Sequence, residues 1–231
     1  IVNVRKIKIP FKKASENMDY LDWKEIARNC EESLNDSNCS GVIVTHGTDF
    51  LHYTSSALSF FLRNLNKPVV LTYAQRSSDR ASSDASLNLK CAAYAVISDI
   101  AEVMLVGHAS MNDDFCFAMR GTKVRKIHSS RRDAFKTVND KPIARIFPSG
   151  KIEVLSSYKK RNDNKKVLID DKFNDNIALI KFYPGMDVEL IDFLGRYEGI
   201  VIELSGLGHI ASDEARKNLL PAIKKAIDNG L

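Results

Sequence analysis

The chain has 231 residues, 44% of them hydrophobic and 27% charged, with 11 Gly and 6 Pro. That balance excludes a disordered, collagenous or low-complexity protein and suffices for one large domain, or one domain plus part of a second. A formal net charge of +5 permits an anionic partner without demanding one.

No apolar run approaches the roughly 18 residues of a membrane span, and the opening IVNVRKIKIP does not have the form of a signal peptide. The four cysteines, Cys30, Cys39, Cys91 and Cys116, show neither CxxC spacing nor a zinc pattern. A reducing, cytoplasmic setting is the expectation.

In chain order, Val2, Val4, Ile7 and Ile9 predict a strand ending at Pro10. From Asp19 the period changes: Trp23, Ile26, Ala27, Cys30 and Leu34 fall on one helical face. Residues 41–45 read as a short buried strand, 54–63 as a helix, and 68–72 as a second buried strand. A polar loop over 75–83 leads to a helix over about 84–98, with Ser82 or Ser83 as its N-cap, and then a strand over 103–106. This rhythm predicts an α/β fold with a doubly wound, mainly parallel sheet.

Past Gly107 the rhythm breaks. Phe115, Phe117 and Met119 alternate as in an antiparallel strand, and residues 120–136 hold seven Lys or Arg against one Asp. An apolar stretch at 143–147 ends in a turn at Pro148-Ser149-Gly150. Residues 156–176 are almost wholly polar and read as a linker, with Val167-Leu168-Ile169 as the part able to dock. Strands at 177–182 and 200–204 and a helix over about 213–228 look like the start of a second, smaller α/β domain. The expected organisation is therefore 1–155, a linker at 156–176, and 177–231, in a chain that reads as cut short at both ends.

Ligands of open α/β sheets sit beyond the carboxyl ends of the strands. After the second expected strand stands His46-Gly47-Thr48-Asp49. A hydroxyl there can attack a carbonyl or orient a water if a base takes its proton, and a carboxylate can hold that base. Taken alone, a Thr-Asp pair at this place is more often a helix N-cap, here for the helix at Thr54. Lys126 is one of many basic residues, and residues 15–18 form a helix-opening box. His46, His108 and His209 have no acidic partner at ligand spacing, and no GxxxxGK[ST] or GxGxxG motif occurs.

VTHGTDFLHYTSSALSFFLRN, followed by PVVLTYAQRSSDRASSDASLNLKCAA, resembles the asparaginase/glutaminase superfamily. Within it, AQRSSDR and the later HASMNDDFCFAMRGTKVRKIHSSRRDAFKTVND and GLGHI resemble the D-type subunit of the archaeal glutamyl-tRNA(Gln) amidotransferases. The resemblance implies a Thr-Asp-Lys catalytic group at Thr48, Asp49 and Lys126, and recognition of the substrate's amino and carboxylate groups at Ser15 and Glu16. It implies an amidase that releases ammonia from glutamine or asparagine through an acyl-enzyme on threonine. The ammonia would serve a partner, the E-type subunit of the amidotransferase, which uses ATP and Mg to convert Glu-tRNA(Gln) to Gln-tRNA(Gln). No cofactor is expected on this chain, and a homodimer within a heterotetramer is the implied assembly, with tRNA(Gln) met mainly through the complex. A free cytosolic L-asparaginase is the alternative of the same class, and a catalytically silent RNA-binding or assembly module is the alternative of another.

The sequence departs from the family in three places. The family's first nucleophile lies in a TGGTI-like turn, which would fall upstream of Ile1, and its barrel-like N-terminal appendage is also missing. Tyr73 stands where the family usually has Gly, next to Ala74. A lysine serving as base must also be able to shed its proton, which desolvation favours.

Overall fold

Helix α1 (Tyr20–Leu34) starts where Asp19 accepts from the N–H groups of Leu21 and Asp22 while the Asp22 carboxylate accepts from Asp19 N, a reciprocal capping box. In a computed structural model describing residues 1–231, this helix belongs to the first of two units, Ile1–Lys172 and Phe173–Leu231. Ile26, Ala27, Cys30 and Leu34 form its buried face, and burial pushes the Cys30 thiol up to about 12.

The elements that follow are β1 (Val42–Thr45), α2 (Leu51–Phe61), β2 (Leu62–Arg63), β3 (Val69–Thr72), α3 (Ala85–Ala95) and β4 (Val103–His108). After them come β5 (Cys116–Arg120), β6 (Val124–Lys126), β7 (Phe135–Thr137), β8 (Ala144–Ile146), β9 (Ile152–Val154) and β10 (Leu168–Ile169). Six strands form one sheet in the order β1-β3-β4-β5-β8-β9. The β1–β3 and β3–β4 pairs are parallel and the remaining three pairs antiparallel, so β1, β3, β4 and β8 share one direction.

Both faces of this sheet are covered. Val69, Leu71, Val103, Leu105 and Met119 pack with the apolar faces of α1 and α2. Their strand neighbours Val70, Met104, Val106 and Ala118 pack on the opposite side with Cys91, Ala92 and Ala95 of α3. The period-2 alternation of a strand sends consecutive residues to opposite layers, which is why these strands read as unbroken apolar runs. At the start of α3, Ser83 Oγ accepts from Ala85 N at 3.2 Å, while Asp84 occupies the cap position without a capping bond of its own.

Three expectations are corrected. Residues 1–9 form no strand: Val4 and Ile7 are 70% and 79% exposed, and nothing pairs with this segment as a ladder. Alternating apolar residues become a strand only where a neighbouring backbone takes their hydrogen bonds.

Residues 156–172 do not behave as a linker. Val167 is fully buried among α1 and α2 residues and exchanges backbone hydrogen bonds with the Asn35 side chain at 3.0 and 3.1 Å. Strand β10 pairs antiparallel with β2, and Lys159 O accepts from Ala101 N at 2.8 Å.

The second unit contains β11 (Ile177–Lys181), α4 (Glu189–Phe193), β12 (Gly199–Glu203) and α5 (Leu220–Asp228). Its two strands pair in parallel, and Met186, Ile191, Leu219 and Ala222 form a small core. Helix α5 begins at Leu220 and not near 213, because Pro221 has no N–H to give and fits only a first turn.

Candidate active site

The loop after β1 and the hairpin β6–β7 meet at one point. Lys126 Nζ donates to Thr48 Oγ1 and to Asp49 Oδ1, both at 2.9 Å. The lysine side chain is 10% exposed and the Asp49 side chain 60%, so the amine is sheltered and the carboxylate open to the surface. Helix α2 starts at Leu51 with Phe50 in the cap position and no side-chain capping bond. Thr48 and Asp49 therefore do not cap α2, and their polar atoms are turned to the lysine instead.

Several contacts fix this arrangement. His46 donates from Nδ1 to Gly47 O at 2.7 Å, and its Nε2 accepts from the Thr54 hydroxyl at 2.9 Å, tying the loop to α2. Burial lowers the His46 pKa and keeps this bridging ring neutral. Ser55 Oγ, on the next position of α2, donates to Gly121 O at 3.0 Å just ahead of β6. A Cβ at Gly121 would lie 2.6 Å from Ser59 Oγ and 2.8 Å from Ser55 O, so only glycine lets the chain approach α2 this closely. The hairpin register then pairs Lys126 with Phe135.

Ser15 also reaches this loop. It is buried at 2% exposure, and its Oγ accepts from Phe50 N at 3.4 Å beneath Gly47. Glu16 is exposed on the same short turn, Ser15–Asn17. His52 lies in the first turn of α2, its Nδ1 buried without a hydrogen bond. Burial, then the charges of Arg125 and Lys126, pull its pKa down to about 4.

The basic run is largely neutralised from within the protein. Arg120 pairs with Glu102 and Asp140, Arg131 and Lys136 with Asp133, and Arg132 with Asp113. With Lys126 on Asp49, at least five of its seven cations face a carboxylate. Between Arg131 and Lys136, the Asp133 carboxyl is held well below the usual carboxylate range.

His108 does have an acidic partner: its Nε2 lies 3.0 Å from Asp113 Oδ1 and its Nδ1 2.6 Å from Asn88 Oδ1. Asn88 also donates to Asp84, whose carboxylate accepts from the backbone of Gln75 and Arg76. The AQRSSDR loop is thus folded around one buried aspartate. A five-residue gap between His108 and Asp113 was the available signal, and no helical or strand period marks it.

Residues 2–160 match the family model described as Asparaginase, N-terminal. The chain belongs to the asparaginase family. Among solved asparaginase-family structures, it is 32% identical to the thermostable L-asparaginase from Thermococcus kodakarensis, with a TM-score of 0.81 over 93% of this chain and 61% of that one. For L-asparaginase I from Vibrio cholerae the values are 28%, 0.78, 95% and 63%. Among curated relatives, the D-type subunit of the glutamyl-tRNA(Gln) amidotransferase of Pyrococcus furiosus is 54% identical, covering 100% of this chain and 52% of the relative. That of Thermococcus kodakarensis is 51% identical, covering 97% and 50%. The chain thus spans about half the length of these relatives. The asparaginase family fits the α/β sheet observed, and no helix is long and apolar enough to cross a membrane.

Proposed function

We propose that this chain belongs to the amidase subunit of a cytoplasmic tRNA-dependent amidotransferase, releasing ammonia from glutamine or asparagine for the conversion of Glu-tRNA(Gln) to Gln-tRNA(Gln). The observation that carries this reading is the Lys126 amine held 2.9 Å from both Thr48 and Asp49 at a strand end. Identity of 54% to a D-type amidotransferase subunit points the amidase toward the amidotransferase and away from a free L-asparaginase.

In this reading an attacking hydroxyl adds to the side-chain amide carbon. Thr48 Oγ1 is the hydroxyl within reach of the lysine; once Lys126 has given up a proton to solvent, its neutral amine takes the hydroxyl proton while Asp49 fixes the amine. The proton returns to the amide nitrogen as the C–N bond breaks, giving ammonia and an acyl-threonine. Water then hydrolyses the ester to release glutamate or aspartate. Glu16, exposed beside this loop, meets the substrate ammonium. Ser15 supports the loop from below through Phe50 N. We assign ATP- and magnesium-dependent activation of the glutamate to the partner, the E-type subunit, in a heterotetramer built on a homodimer of this chain, and no cofactor to this chain. Its contact with tRNA(Gln) runs mainly through the complex, consistent with the internal pairing of the basic run.

The test is ammonia release by the full-length protein, with and without its partner subunit, from glutamine and from asparagine. Glutamine hydrolysis that needs Thr48 and rises in the presence of the partner and tRNA supports the reading. Efficient asparagine hydrolysis indifferent to both would make it a free asparaginase, and no hydrolysis at all would leave an assembly module.

A further inference from the structure

Tyr73, one residue past the end of β3, is buried at 4% exposure and plays no part in the chemistry above. Its hydroxyl donates to the Arg132 carbonyl at 2.9 Å. Its ring centroid lies 4.6 Å from that of Phe135, the residue paired with Lys126 across the hairpin. The ring crosses β4 directly over Gly107, where a Cβ would come within 2.4 Å of it. Glycine at 107 is therefore what gives the tyrosine its path to the hairpin.

The other end of Tyr73 is also fixed, since its carbonyl accepts from Asn88 Nδ2 at 3.0 Å. From Asn88 the chain of contacts continues through His108 and Asp113 to the Arg132 guanidinium, 2.8 Å from Asp113. Two routes from the ends of β3 and β4 thus converge on Arg132. Burial, with Asp84, Cys116 and Asp133 nearby, pushes the phenol well above its usual range and keeps it a donor.

We propose that Tyr73 is a positioning residue for Lys126, setting how closely the β6–β7 hairpin sits on the sheet and so where the amine stands beside Thr48 and Asp49. This role rests on the amidase reading. Two paired strands of three residues hold little rigidity of their own. A lysine side chain is long and rotamer-rich, so its placement depends on the backbone that bears it. A stiff aromatic bonded at one end and packed along its face supplies that constraint.

The experiment compares wild type, Tyr73→Phe, Tyr73→Leu and Lys126→Met in the full-length protein with its partner subunit. It reads kcat and KM for ammonia release from glutamine, and the rate at which acetic anhydride acetylates Lys126, followed by mass spectrometry. Tyr73→Leu should lower kcat about 100-fold, as expected for a displacement near 1 Å, with KM little changed. It should also speed acetylation of Lys126, and Tyr73→Phe, which keeps the ring, should recover most of both. Wild-type kcat and labelling in Tyr73→Leu would overturn the proposal, as would a raised KM at unchanged kcat. Lys126→Met with full activity would bring down the amidase role of the lysine and this one with it. An inactive Lys126→Met beside a fully active Tyr73→Leu would bring down the positioning role alone. If Tyr73→Leu does not fold, Tyr73→Met, which also removes the ring that packs on Phe135, decides through labelling: a rate equal to wild type overturns the proposal, and a faster one supports it.

Discussion

Lys126 Nζ lies 2.9 Å from Thr48 Oγ1 across 78 positions of sequence. A hydroxyl is a weak nucleophile at neutral pH, so in the proposed amidase the amine beside it is the element on which the reaction turns.

Replacing Lys126 by Met should therefore lower kcat for ammonia release by at least about 100-fold, the low end of what a positioned base contributes. Because its ionic partner Asp49 is 60% exposed, the fold should lose little. Steady-state kinetics on the full-length protein, beside a thermal melt, checks both halves.

Thr48→Ala and Asp49→Asn should each remove activity to a similar degree while shifting Tm by only a few degrees. The second expectation follows from the α2 cap, which draws on neither side chain. A large loss of stability in either variant would assign the pair a structural task.

His52 gives a pH dependence with a definite sign. Its folded pKa, about 4, lies below the ordinary 6.5, so the folded state favours the neutral ring. This stabilisation is complete above about pH 6.5 and is lost as pH falls toward 4, because the unfolded chain takes up the proton first. In melts from pH 7 to 4, His52→Gln should show a shallower fall in Tm than wild type. An NMR titration of the ring should place its midpoint near 4.

Val167→Ala should destabilise the first unit by about 2 kcal/mol, since it removes two methyl groups from a fully buried site. Denaturant melts measure this directly. A free linker would be indifferent to the change.

Strands β1, β3 and β4 were legible because burial on both faces leaves unbroken apolar runs, and α1 because its apolar residues keep helical spacing. The dyad, the lysine and their meeting were legible only through the resemblance carried by HGTD and the segment around Lys126, together with the hydroxyl's need for a base, since no local period joins residues 78 apart. The hairpin that presents Lys126 is spelled VRK and FKT, half of it charged, and carries no strand pattern. Residues 156–172 misled for the same reason: their anchor is one valine and a set of backbone bonds, to which composition is blind. The opening apolar residues misled in the reverse sense, since pattern does not reveal whether a partner strand exists.

The sheet order has a consequence for the birth of the protein. Thr48 and Asp49 stand in the loop after β1, the edge strand of the sheet, whereas Lys126 arrives on a hairpin that follows β5, beyond the parallel strands. Synthesis runs from the N-terminus, so β1, β3 and β4 are made before the lysine is added. A nascent or half-folded chain holds the hydroxyl and carboxylate but no amine beside them. The three groups of the proposed amidase site thus come together only after the antiparallel half has closed on the parallel one.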